Sequence, residues 1–211
     1  MGLKRSILIP LFGLFVFLIW LVLYSGANHS DRNIDDIHKT TLKNTPVGGD
    51  FELNTVEGKI SLADFNDKLV LLYFGYTACP NVCPSSLSKI SLVLQRLPAK
   101  QRAAIKTIFV SLDPEYDTAE KVKEYVQYYN GSFIGAVAEV DQLKKITKQY
   151  AVDYELVKGH SRDKRLIEHT TYFYLIGTDG KLLEYTPHNV SLQELLEMIK
   201  KHLAPQKADD E

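Results

Sequence analysis

The chain is predicted to fold as an α/β protein, a sheet covered by helices on both faces, behind a single N-terminal transmembrane helix. Three observations predict this. A long uncharged apolar stretch opens the chain, solidly apolar runs of strand length lie further in, and these runs alternate with segments whose apolar residues recur at helical spacing. With 211 residues, 45% hydrophobic and 24% charged, the composition is that of a globular chain and excludes a collagen-like or disordered one. The length suits one domain of about 150 residues plus an appendage. A net charge of −1 argues against nucleic-acid binding by bulk electrostatics. The 2 cysteines are too few for a four-cysteine zinc site or a disulfide framework, but they stand close enough in sequence to act as one pair.

Between Ser6 and Ala27 there is no charged residue, and Ile7 to Tyr24 is almost continuously apolar. At about 1.5 Å rise per residue, residues 7–24 roughly span a hydrocarbon core of about 30 Å. Lys4 and Arg5 precede the stretch, while Asp31, Asp35 and Asp36 follow it. By the positive-inside tendency residues 1–6 are cytoplasmic and everything after Ala27 is exported. Ser25, Gly26 and Ala27 would also suit a cleavable signal peptide, but the apolar stretch is longer than a usual signal core and favours an uncleaved anchor. No Arg- and Ser-rich transit segment precedes it, which favours a bacterial inner membrane and periplasm over a mitochondrial inner membrane facing the intermembrane space. Without Lys4 and Arg5, 23 basic residues face 26 acidic ones, so the exported part is mildly acidic. In an exported compartment a cysteine pair oxidises unless something reduces or metallates it.

Residues 25–45 are polar and without periodicity, a tether. Pro46-Val47-Gly48-Gly49 marks the start of a folded domain over 46–204, and 205–211 is a frayed, disordered tail. Within the domain, Phe51 to Asn54 and Lys59 to Leu62 flank a Gly-containing turn and predict a hairpin. Leu69 to Phe74 is apolar throughout, as in a central strand covered on both faces. Leu87, Ile90, Leu94 and Leu97 predict a helix, and Ile105 to Leu112 the next strand. Asp117 with Glu120 forms a capping-box pattern before a helix that turns Val122, Tyr125, Val126 and Tyr129 to one side. Asp141 opens a helix with Leu143, Ile146 and Tyr150 inward. Tyr172 to Ile176 and Lys181 to Tyr185 flank Thr178-Asp179-Gly180, a hairpin signal. Ser191 and Glu194 cap a last helix carrying Leu195, Leu196, Ile199 and Leu203. Alternation ending in a hairpin and a helix predicts a three-layer, thioredoxin-like sheet.

Cys79 and Cys83 fall between the buried strand and the helix after it. Pro84 suits the first helical position, which puts Cys83 at the N-cap and Cys79 in the turn above. Free N–H groups there lower thiol pKa values and favour thiolate. Two thiolates on one turn suit Cu(I) or, less specifically, Zn(II). Two inert buried cysteines are the plainer reading, but a strand-to-helix junction at a sheet's edge is where sites form. A redox-active disulfide between Cys79 and Cys83 is the main competitor. Thioredoxin-type oxidoreductases separate their cysteines by two residues and carry a proline before the strand that faces them. Here three residues intervene, and no proline lies between His160 and Thr186. Instead His169 stands at the mouth of that strand, where an imidazole would make a third copper ligand.

The segments Phe74-Gly-Tyr-Thr-Ala-Cys79-Pro-Asn-Val-Cys83-Pro84 and Ser111-Leu-Asp113-Pro-Glu-Tyr-Asp117-Thr118, with His169 ahead of Leu175-Ile-Gly-Thr-Asp-Gly180, resemble the Sco/SenC proteins. The resemblance covers residues 46–203 and the anchor. It implies a membrane-anchored, thioredoxin-like copper protein that helps assemble the dinuclear copper centre in subunit II of cytochrome c oxidase. It further implies that Cys79, Cys83 and His169 hold one copper ion, as Cu(I) or also Cu(II), with Asp113 near them as a non-ligand. The expected partners are oxidase subunit II as copper acceptor and an upstream copper donor or thiol reductant. The chain departs from residues frequent in the family at Asn81, often acidic, at Tyr116, often Arg, and around Gly135. A metallochaperone is the reading the residues favour. A thiol–disulfide reductase serving the oxidase's cysteines, or a copper or redox sensor, are the alternatives.

The remaining histidines attract plainer readings. His160 sits in a charged run, Lys158 to Arg165, that reads as a solvated loop. His188 reads similarly, His29 and His38 belong to the tether, and His202 suits a helix C-terminus. Asp117 is accounted for as a cap. No phosphate-cradling Gly loop, Ser/His/Asp order or paired-carboxylate site is present.

Overall fold

The computed structural model describes residues 45–157 and 166–203, together with Phe17, Ile19 and Trp20. Those three are helical and exposed, and the Phe17 and Trp20 rings stack with centroids 6.1 Å apart. The rest of the expected anchor over 7–24, the residues before it, the tether up to 44 and the tail 205–211 lie outside the described residues. Among the described residues no helix is long and apolar enough to cross a membrane.

The chain divides after Asn44, and the compact unit that begins at Thr45 carries the chemistry. It opens with a hairpin of β1 (Glu52–Thr55) and β2 (Gly58–Ser61), and a 3-10 turn over Leu62–Phe65. Then follow β3 (Leu69–Gly75), α1 (Val82–Gln95), the short α2 (Ala99–Ala103), β4 (Ile105–Ser111), α3 (Ala119–Tyr129), β5 (Ile134–Ala136) and α4 (Val140–Gln149). Two short strands, β6 (Tyr154–Leu156) and β7 (Ile167–His169), precede β8 (Tyr172–Ile176), β9 (Leu182–Pro187) and α5 (Leu192–His202). The main sheet runs β5-β4-β3-β8-β9, with β4 parallel and β8 antiparallel to β3. β6 and β7 pair only with each other, as a separate two-stranded sheet.

The alternation of β3 divides the core. Leu69, Leu71 and Tyr73 face a cluster filled by Leu87, Ile90 and Leu94 of α1, Val122 and Val126 of α3, and Leu195 and Ile199 of α5. Val70, Leu72 and Phe74 face the other side, where Leu143 and Ile146 of α4 meet Phe51 and Leu53 of the hairpin. Every residue of β3 is buried, which explains why its sequence shows no polar alternation. The three-layer, thioredoxin-like sheet expected from the sequence is therefore the fold.

Local corrections follow from side-chain chemistry. α1 starts at Val82, so Cys83 is its second residue and not its N-cap, which is Asn81. α3 is capped by Thr118, whose hydroxyl accepts the Lys121 N–H at 3.3 Å; Asp117 is drawn inward instead. α4 starts one residue before Asp141, after Glu139. The capping box of α5 forms as expected, with Ser191 N–H on Glu194 at 2.7 Å and Glu194 N–H on Ser191 at 3.1 Å. The 3-residue strands β6 and β7 and the 5-residue α2 have no counterpart among the expected elements, because they are too short for periodicity to reveal.

β5 lies under α3 closely enough that a Cβ on Gly135 would stand 2.7 Å from the Val122 carbonyl. Since backbone cannot swing aside, Gly135→Ala is expected to lose about 1–3 kcal/mol of stability, read as a lower urea midpoint with the slope unchanged.

Candidate functional site

The site is built where β3 gives way to α1. The strand ends on Gly75, where a Cβ would meet the Cys83 sulfur at 2.6 Å and the Phe109 ring at 2.8 Å. The loop 76–81 then turns back, with Cys79 N–H donating to the Tyr76 carbonyl at 3.3 Å. Asn81 makes no capping bond with its side chain. The Cys79 sulfur takes that role, accepting the Cys83 N–H at 3.4 Å. A helix start leaves its first N–H groups without intrahelical partners, so a sulfur placed there meets a donor and the positive end of the helix dipole.

The two thiols are unequal. Cys79 is 9% exposed and Cys83 0%. The hydrogen bond from the Cys83 thiol pulls the Cys79 pKa down to about 3, against its burial, and the His169 ring and the backbone N–H groups of Cys83 and Asn81 add to the effect. Cys83 moves the other way, well above the usual thiol range, because the Cys79 sulfur takes its proton in a hydrogen bond and because it is buried. The pair therefore holds one proton, on Cys83. Behind it lie Tyr73 and Tyr125, whose phenols burial pushes far above their usual range.

His169 ends β7, opposite Tyr154 across the small sheet, rather than starting β8. Its Nδ1 lies 3.0 Å from the Thr170 carbonyl oxygen. A carbonyl only accepts, so that bond draws its hydrogen from Nδ1 and leaves Nε2 as the nitrogen available to a metal ion. Tyr76 joins the two halves of the site. Its hydroxyl accepts the Ile167 N–H at 3.2 Å, and its ring meets that of His169 edge to face at 5.9 Å. Burial raises the Tyr76 phenol to about 12, so it stays neutral.

Cys79 and His169 line one cavity of about 380 Å3 with Tyr76, Val82, Leu166 and Ile167. Two sulfurs and an imidazole nitrogen form a soft donor set that fits a copper ion far better than a hard cation. Among the described residues no three His, Cys, Asp or Glu side chains already stand together at metal-binding spacing. A larger cleft of about 600 Å3, between the β1–β2 hairpin and α4, is lined by Asp50, Glu52, Lys59 and Glu139 among others and contains none of the candidate ligands.

Asp113 is buried just after β4, its N–H on the Ser111 hydroxyl at 3.0 Å and its carbonyl accepting from Tyr116 and Asp117. The carboxylate of Asp117 also bonds to the cysteine loop, and two of its bonds go to Thr77. The sequence concealed this because Asp117 and Glu120 also fit the pattern of a capping box, which does not form. His188 is bonded through Nδ1 to the Thr171 hydroxyl at 2.7 Å, and His202 to Glu184 at 2.9 Å. His29, His38 and His160 lie outside the described residues.

The fold and this site define a thioredoxin-like protein with an unequal dithiol at a helix start and a histidine facing it. The SCO1/SenC family model matches residues 39–204, and the chain belongs to that family. The SCO2-like protein of Rickettsia felis is 35% identical over 159 residues, covering 74% of this chain and 77% of that one. The human mitochondrial SCO2 homolog is 29% identical, over 96% of this chain and 77% of its own. Among solved structures, Bradyrhizobium japonicum ScoI with copper bound aligns with a TM-score of 0.67 at 30% identity, covering 74% of this chain and 99% of that one.

The inequality of the thiols has a pH signature. An ordinary thiol, with a pKa of about 8.5, loses thiolate tenfold per unit below that pH. Cys79 keeps its thiolate down to about 3. Iodoacetamide is therefore expected to label Cys79 at a rate nearly constant from about pH 8 to pH 5, with Cys83 unlabelled, as mapped by peptide mass spectrometry. A rate falling a hundredfold or more over that range would contradict the assignment.

Proposed function

We propose that this protein is a copper metallochaperone, with Cys79, Cys83 and His169 holding one copper ion for delivery to the dinuclear copper centre of cytochrome c oxidase subunit II. The observation that carries the reading is the sharing of one cavity by the Cys79 sulfur and the ring of His169, with Cys83 directly beneath Cys79. Membership of the SCO1/SenC family and the copper-bound state of B. japonicum ScoI support it.

In this reading copper is cargo. Cys79 offers a thiolate without first losing a proton, whereas Cys83 gives up its proton when the ion displaces it. His169 supplies Nε2, its tautomer fixed by Thr170. Low coordination lets a thiolate of the acceptor join before a resident ligand leaves, so transfer proceeds by ligand exchange. The domain acts on the exported side of a membrane, periplasmic in a bacterium, held by the helix expected over residues 7–24 and loaded by an upstream donor.

A second reading rests on the inequality of the two thiols. A thiolate that lines a cavity beside a fully buried thiol that retains its proton is the arrangement of an attacking and a resolving cysteine. By that reading the protein reduces the oxidase's copper-site cysteines, and His169 is dispensable.

An anaerobic Cu(I) titration of the reduced full-length chain, beside His169→Ala, separates the two. Chaperoning predicts one tightly held ion, preferred to Zn(II), with affinity lowered at least tenfold by the substitution. Unchanged affinity in His169→Ala, with a readily reduced Cys79–Cys83 disulfide, would leave the reductase.

A further inference from the structure

Asp117 is a carboxylate with its side chain 0% exposed, far from any helix-capping role. Burying such a group costs several kcal/mol unless hydrogen bonds replace its water. Three do. Its Oδ2 accepts the Thr77 backbone N–H at 3.0 Å and the Ser111 hydroxyl at 2.6 Å, and its Oδ1 accepts the Thr77 hydroxyl. Lys121 Nζ stands 3.9 Å from Oδ1.

The carboxylate is itself held firmly. Asp117 N–H donates to the Asp113 carbonyl at 2.9 Å, and Asp113 N–H to the Ser111 hydroxyl at 3.0 Å, closing a compact turn at the end of β4. Ser111 is in register with Gly75 on β3, and Leu112 N–H donates to the Gly75 carbonyl at 2.7 Å. The turn after β4 is thus tied to the end of β3 and reaches over to Thr77, just beyond that end. Thr77 lies two positions before Cys79 in the chain. What is gripped from outside is the lead-in to the accessible sulfur.

We propose that Asp117 is a positioning residue for the dithiol. By holding the N–H and hydroxyl of Thr77 together, it fixes the loop so that the Cys79 sulfur rests on the Cys83 N–H and the pair stays open. Forming a disulfide brings the sulfurs to about 2.05 Å with a set dihedral angle, and in this proposal a loop held by Asp117 resists that adjustment. The grip therefore stabilises the dithiol over the disulfide. This concerns the sulfurs alone and stands whether or not copper is the cargo.

The test is the equilibrium of the full-length chain with glutathione. Glutathione disulfide accepts two electrons from the pair, the Cys83 proton ends on one of the two glutathiones formed, the other takes its proton from water, and the Cys79–Cys83 bond replaces the glutathione S–S bond. Thr77→Val keeps the shape and the backbone N–H but removes the hydroxyl. It is expected to shift the equilibrium at least tenfold toward the protein disulfide, a potential about 30 mV more negative. Thr77→Ser, which retains the hydroxyl, is expected to stay within about twofold of the parent. Asp117→Asn places an amide donor against donors and should shift as Thr77→Val does. If that variant fails to fold, the Thr77 pair decides alone. A shift below threefold in Thr77→Val, a shift toward the dithiol, or an equal shift in Thr77→Ser would each overturn the proposal, whatever happens to the melting temperature.

Discussion

The contact on which the site depends is the one between the Cys79 sulfur and the Cys83 N–H, 3.4 Å apart. A helix start must satisfy its first N–H groups, and here the usual oxygen acceptor at the N-cap is not used. Taking up that donor commits Cys79 to one place and favours its thiolate. It also holds the sulfur beside Cys83, whose own thiol then keeps the proton. The absence of a side chain on Gly75, the turn of the loop and the reach of Asp117 to Thr77 all serve this arrangement.

What could be read from the sequence follows the strength of the local signal. β3, α1, β4 and α5 are long or clearly capped, and their residues announce strand, helix or cap without help from the rest of the chain. Cys79, Cys83 and His169 carry rare chemistry in a resembling pattern, so they stand out as candidates, and the structure brings Cys79 and His169 to one cavity with Cys83 beneath. What escaped is contact between distant segments. Asp117 and Thr77 are 40 residues apart, and nothing in either neighbourhood predicts their bond. Asp117 also satisfied a capping pattern, and a sufficient local explanation hid the tertiary one. The pairing of β6 with β7, which places His169, depends on 3-residue strands that no periodicity could reveal.

The separation of the main sheet from the β6–β7 sheet divides the donors between two pieces of structure. The sulfurs belong to the loop after β3 and the first turn of α1, whereas the imidazole belongs to the small β6–β7 sheet. Tyr76 spans the gap, with its backbone at the cysteine loop and its hydroxyl on Ile167 of β7. Because the phenol stays neutral, that link does not change with pH across the physiological range. The donors can thus share a cavity without standing at fixed ion-binding spacing.

Burial of Cys83 at 0% exposure gives the site a direction. Any reagent from solvent, whether metal complex, thiol or electrophile, meets the Cys79 sulfur first, because Cys83 lies underneath it. Encounter and departure then share a fixed sequence, in which the outer sulfur is first to engage and last to lose touch with a partner. A molecule that occupies Cys79 therefore stands between solvent and the buried sulfur of Cys83.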